Sequence, residues 1–166
     1  MSLRLSPLFL GAGILLAAAP RADAFDLTGT YTGKYACKGV VTNDQSGKNS
    51  YTSDATLRVT QTGAAIGLFI DFTGSTYQYS GAAVPDVKKP EAKGEMPIVL
   101  CGTNDVLAGG EYDELGRLKV SAKPGALAAK ITGTSVYSDL VAGAYTCKWS
   151  FKRTDLTNPA VAISCP

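Results

Sequence analysis

Two short stretches decide the fold: Gly33-Lys34-Tyr35-Ala36-Cys37-Lys38-Gly39 near one end and Gly143-Ala144-Tyr145-Thr146-Cys147-Lys148-Trp149-Ser150 near the other. Four of their first six positions agree, as Gly, Tyr, Cys and Lys. In both, aromatic residues and cysteine fall on every second position with Lys, Thr or Ala between them. That is the two-residue period of a half-buried β-strand. A matching cysteine strand at each end suggests a sheet that closes on itself. In a meandering barrel with an even number of strands, the first and last strands are antiparallel neighbours. Directly opposed residues there have Cα atoms roughly 4.5–5.5 Å apart, within the reach of a disulfide.

The same period continues outward from these stretches. Tyr31, Gly33, Tyr35, Cys37 and Gly39 share one face of a strand over Thr30 to Val41. Leu57 and Val59 alternate with Thr56, Arg58 and Thr60. Ile66, Leu68, Ile70 and Phe72 share the inward parity of the next segment, with Asp71 outward and Phe69 outward as the mark of a covered surface. Tyr77 and Tyr79 lie on one side of a strand after Gly74-Ser75. Residues 82–94, with two prolines and mixed charge, predict a long exposed loop. Met96 to Cys101 reads as an apolar strand entered through Pro97, so its start is expected at an edge or a bulge. Gly109-Gly110 leads to a short strand, and Asp113-Glu114-Leu115-Gly116 reads as a turn. Leu118 and Val120 then point inward. Lys123-Pro124-Gly125-Ala126 has type II turn chemistry, and Leu127, Ala129, Ile131 and Gly133 follow facing in. Tyr145, Cys147, Trp149 and Phe151 line the last strand, and a tail with Pro159 runs to Cys165. No segment shows a 3.6-residue apolar period over ten residues. The expected fold is an all-β, antiparallel up-and-down barrel of about eight strands, with a β-sandwich as the alternative.

Residues 1–24 have the form of a secretory signal peptide: a short basic start, the apolar run Leu5 to Ala19, and Ala22-Asp23-Ala24 as a cleavage site. The run is shorter than the ~20 residues that span a bilayer. Residues 25–166 are then a single domain in the periplasm or outside the cell. Without Arg4, Arg21 and Asp23 that domain holds 14 basic and 13 acidic residues, a balance that argues against nucleic acid or an anionic surface as partner.

An exported chain with four cysteines is expected to carry disulfides. Closing the barrel at the two matching strands pairs Cys37 with Cys147, worth up to ~4 kcal/mol in the chain-entropy picture, and leaves Cys101 with Cys165. Pairing Cys37 with Cys101 and Cys147 with Cys165 remains open. Paired C-x2-4-C spacing is missing and the chain has no histidine, so no metal site and no cofactor are expected. The same composition removes the usual general base and catalytic triads, and oxidised cysteines leave no thiolate nucleophile. Glu111, Asp113 and Glu114 read as a solvated turn. Asn43 to Asn49 lacks the spacing and final glutamate of a calcium loop. No catalytic residues are assigned.

Leu27-Thr28-Gly29-Thr30-Tyr31 resembles the opening strand of lipocalin-like and avidin-type barrels, with Tyr31 where those families carry tryptophan, and Ile131-Thr132-Gly133-Thr134 repeats the wording. The resemblance implies a small exported barrel. Tyr35-Ala36-Cys37-Lys38-Gly39 falls one residue short of the Y-x-C-x-x-G element of periplasmic lysozyme inhibitors. Tyr31, Tyr35, Tyr145 and Trp149, joined by Tyr77 and Tyr79, face one interior. Such a set either fills a core or lines a semi-polar pocket. The expected function is a non-enzymatic barrel that binds a small apolar or aromatic ligand among these six residues. The alternative is an envelope protein-interaction module or inhibitor acting through the loop over residues 84–95.

Overall fold

The computed structural model describes residues 25–40, 47–103, 112–123, 125–139 and 143–165. The expected signal peptide, the Gly109-Gly110 segment, Glu111 and Pro124 lie outside them. Nine strands follow in chain order: β1 (Gly29–Val40), β2 (Asn49–Thr62), β3 (Ala65–Phe72), β4 (Ser75–Ala82), β5 (Val84–Pro85), β6 (Lys93–Thr103), β7 (Tyr112–Ala122), β8 (Ala129–Asp139) and β9 (Gly143–Asp155). All pairings are antiparallel. Each long strand pairs with the next, β4 pairs with β6, and β9 pairs back with β1. Two-residue β5 continues the β4 edge along the start of β6. The result is a closed eight-stranded up-and-down barrel, so no long strand is left with an open edge.

The seam is where the two quoted stretches meet. Cys37 stands directly opposite Cys147, Tyr35 opposite Trp149 and Gly39 opposite Tyr145. A disulfide joins Cys37 to Cys147 with Cα atoms 4.0 Å apart, and a second joins Cys101 to Cys165. Two disulfides belong to an oxidising, extracellular-type compartment.

Alternation sorts the side chains. Leu57, Val59, Ile66, Leu68, Ile70, Met96, Leu118 and Ile131 are buried inside, each contributing about 1.5–3 kcal/mol. The outward positions are mostly Thr, Ser, Lys and Arg, the reverse of a lipid-facing barrel wall. Phe69 is half-buried outside because the Arg58 guanidinium lies 4.5 Å over its ring, while Arg58 also bonds Asp71 at 2.8 Å.

Four expectations need correction. Residues 113–116 are not a turn but the start of β7, where Leu115 points out and Glu114 points in. The acid on the inner parity disguised the alternation. The stretch over 82–94 is not wholly a loop. It holds β5, and Asp86 accepts from the Lys88 and Lys89 N–H groups to set a tight turn between β5 and β6. Pro97 does not open its strand. It lies inside β6, where the partner along that edge passes from β4 to β5. Leu127 is not inward but 49% exposed, because β8 begins two residues later. Gly125 does sit at φ +66 with Ala126 N–H donating to the Lys123 carbonyl, a turn geometry that glycine accepts without strain.

The ends of the barrel differ. At the end holding the β2–β3 and β7–β8 turns, Phe25 and Leu27 are fully buried. Buried Arg153 fastens this plug, donating to the carbonyls of Asp26 and Thr28 on one side and Ala126 and Leu127 on the other. Beyond β9 the chain turns back along the outer face of β2, β3 and β4. Val161 N–H donates to Thr60 Oγ1 at 2.9 Å and Ser80 Oγ donates to the Ile163 carbonyl at 3.0 Å. Gly67 lets this strap lie close: a Cβ there would stand 2.2 Å from the Ala162 carbonyl oxygen. The Cys101–Cys165 bridge secures the strap to β6.

Candidate functional site

The half of the interior away from the plug is aromatic and polar, and its centre is a buried carboxyl. Glu114 on β7 is 2% exposed. Tyr35 on β1 donates to its Oε1 at 2.9 Å, Tyr79 on β4 donates to its Oε2 at 2.6 Å, and Ser135 on β8 donates to Oε1. The Trp149 indole on β9 donates to Ser135 Oγ at 2.8 Å. Three other strands therefore send side chains to the β7 carboxyl and a fourth reaches it through Ser135, because in a narrow barrel inward residues of distant strands converge. All of these donors are neutral. Arg153, the buried cation among the described residues, sits at the plugged end.

Burial pushes the Glu114 carboxyl above its ordinary value, and the hydrogen bonds from Ser135, Tyr79 and Tyr35 work against that rise without cancelling it. A buried charge without a counter-ion is costly, so the neutral form gains. Burial, then the neighbouring Glu114 charge, also holds the Tyr35 and Tyr79 hydroxyls far above the ordinary tyrosine range. Both stay protonated and act as donors. Chemically the cluster presents a hydrogen-bond acceptor to its surroundings when ionised, and an acid when protonated.

Rings surround the cluster. Trp149 meets Tyr35 and Tyr79 edge-on, at centroid distances of 5.3 and 5.4 Å. Phe72 bridges Tyr35 and Tyr77, at 5.2 and 5.4 Å. Further toward the unplugged end, Tyr145 contacts Tyr51 and Tyr137, each at 5.8 Å. Tyr51 is 40% exposed, so the aromatic set runs from the buried carboxyl to solvent.

Of the six residues expected to form a ligand site, the structure brings Tyr35, Tyr79 and Trp149 together at Glu114 and places Tyr77 and Tyr145 in the surrounding rings. Tyr31 stands apart. Its hydroxyl donates to the Leu27 carbonyl at 2.8 Å and its ring lies 5.9 Å from the Arg153 guanidinium, at the plugged end. These rings pack tightly on one another. Sequence reading missed Glu114, Ser135, Phe72, Tyr51 and Tyr137 as members. Two of them were within reach of parity: counting back by twos from Val120 and Leu118 arrives at Glu114, and counting on from Ala129, Ile131 and Gly133 arrives at Ser135. No protein-family model, curated protein or solved structure matches this chain.

Proposed function

We propose that the protein is an exported, non-enzymatic β-barrel that binds a small apolar or aromatic ligand in the aromatic half of its interior, working in the periplasm or outside the cell. One observation carries the reading. The interior is divided: one end is closed by the Phe25–Leu27 plug that Arg153 fastens, and the other holds a buried carboxyl ringed by tyrosine hydroxyls, Ser135 and Trp149. A barrel that needed only a filled core has no use for a buried carboxyl held by neutral donors beneath a run of tyrosines that reaches solvent. Ligand sites combine apolar walls with a few convergent polar groups, as Tyr35, Tyr79, Ser135 and Glu114 converge. Entry requires the Phe72, Tyr77 and Tyr145 rings to rotate outward. The likeness of residues 27–31 to the openings of lipocalin-like and avidin-type barrels belongs to this proposal.

The test is native mass spectrometry of the exported protein purified without denaturant. An adduct of a few hundred daltons that is lost on unfolding is expected. Rebinding of the extracted compound should change the emission of Trp149, the single tryptophan of the chain. Calorimetry should show weaker binding in Trp149→Phe, and unchanged affinity there would sink the site. A larger complex in place of an adduct would shift the reading to the hairpin over residues 84–95, where Val87 is 98% exposed.

A further inference from the structure

We propose that the outer face of β6, β7, β8, β9 and β1 docks on a bilayer carrying anionic headgroups. The near-neutral total of the chain conceals a strong division of charge. Outward positions of these five strands hold eight of the sixteen Lys and Arg residues but two of the fourteen Asp and Glu residues. The face therefore carries +6, against +2 for the whole chain.

Register shows how the cations are spaced. Lys130 and Lys152 stand directly opposite each other across β8 and β9. Like charges so placed destabilise a sheet, so the fold gains nothing from the pair. Lys34 is opposite Ser150, which puts it diagonally between Lys148 and Lys152. Lys38 is opposite Thr146, diagonal to Lys148 on the other side. All five of these lysines are exposed. A surface cleft of about 310 Å³, lined by Ser50, Tyr51, Thr146 and the two lysines 38 and 148, lies at the edge of the face. Among the described residues, the ion pairs touching the face are Lys34–Asp54 and Arg117–Glu95.

An apolar row continues the same face. Val99, Leu115 and Val136 are directly opposed on β6, β7 and β8, and 43%, 65% and 60% exposed. Continued across the sheet, their row reaches Thr146 and Lys38. A soluble polyanion uses the lysines and leaves this row in water. A bilayer uses both, since acyl chains receive Leu and Val while anionic headgroups meet the lysines. On the opposite side of the barrel the strap covers β2, β3 and β4, and this face is clear of it. The inference stands apart from the interior ligand and does not depend on it.

The test is co-sedimentation of the exported protein, its amino terminus established by mass, with vesicles of phosphatidylcholine alone or with about a third phosphatidylglycerol. Binding should need the anionic lipid and fall as salt shortens the Debye length. Lys130→Gln, Lys148→Gln and Lys152→Gln together should weaken it by about 100-fold. Leu115→Ser with Val136→Thr should weaken it by about tenfold and leave retention on heparin unchanged. Lys88→Gln with Lys89→Gln, in the β5–β6 turn, should change neither. These side chains are exposed, and Trp149 emission together with circular dichroism checks that each variant folds. Equal binding to neutral vesicles, or no binding to either, overturns the proposal. So does retention on heparin without vesicle binding, which would mark a soluble polyanion. An apolar double variant that binds vesicles like the parent overturns it as well, by reducing the face to charge alone.

Discussion

Glu114 holds its proton more readily in the fold than in the unfolded chain, because burial raises its carboxyl above the ordinary 4.5. The sign of the pH dependence follows. The folded state binds more protons between 4.5 and the raised value, so stability falls as pH rises through that window and recovers on acidification. The melting temperature should therefore climb as pH is lowered through that window toward 4.5, the opposite of common acid lability. Calorimetry across that range should show the slope in the parent and its loss in Glu114→Gln. A parent with no slope would contradict the assignment. Glu114→Ala should be worse than Gln at every pH, by about 3 kcal/mol, because Tyr35, Tyr79 and Ser135 would be left with donors unmet in a buried space. The inward side of Tyr35, Tyr79 and Trp149 was legible in the sequence, since a period of two assigns faces. What their polar atoms touch was not, because Tyr35 and Glu114 are 79 positions apart and alternation carries no information about contacts across a barrel.

Among the elements, the strap depends on a single small residue. Gly67→Val should leave the barrel intact, because the added atoms point outward, but lift the strap from β3. Hydrogen exchange should then be faster at Val161, whose N–H is held by Thr60. Proteases should cut within residues 156–164, and Cys101–Cys165 should be reduced sooner than in the parent. An unchanged exchange rate at Val161 would show that the strap is held by its disulfide alone. Strands β1, β4 and β9, the second half of β2 and the first half of β8 were readable in the sequence because apolar and polar residues alternate along them, and β3 was readable as an apolar run; the start of β2, Asn49 to Asp54, has no buried face to mark it. The first half of β7 was not readable, because it places an acid inside and a leucine outside, and the interior network that rewards this is invisible locally. The start of the 82–94 stretch was misread for a related reason. Prolines and charges there mark turns in general, yet pairing with β6 draws Val84 and Pro85 into the sheet.

For the molecule as a whole, the repeated cysteine motif identified the seam correctly, since it encodes both the antiparallel register and the bridge across it. Net charge was a poorer guide, because a sum over the chain erases the segregation produced when strands β6 to β1 bring their outward residues together. The seam bridge closes a span of 110 residues. Replacing both Cys37 and Cys147 with Ala should cost about 4 kcal/mol, read as a lower urea midpoint. A midpoint equal to the parent would mean that the β1–β9 ladder alone sets closure. That ladder has a consequence for how the molecule is made. Synthesis delivers β1 before the other strands, yet one of its two neighbours is β9, Gly143–Asp155, the last of the described strands to arrive. Until then the nascent sheet has two raw borders, each able to recruit foreign strands. A prematurely terminated product lacking β9 is thus not a smaller version of the protein but an open template for aggregation, and a natural target for quality-control proteases.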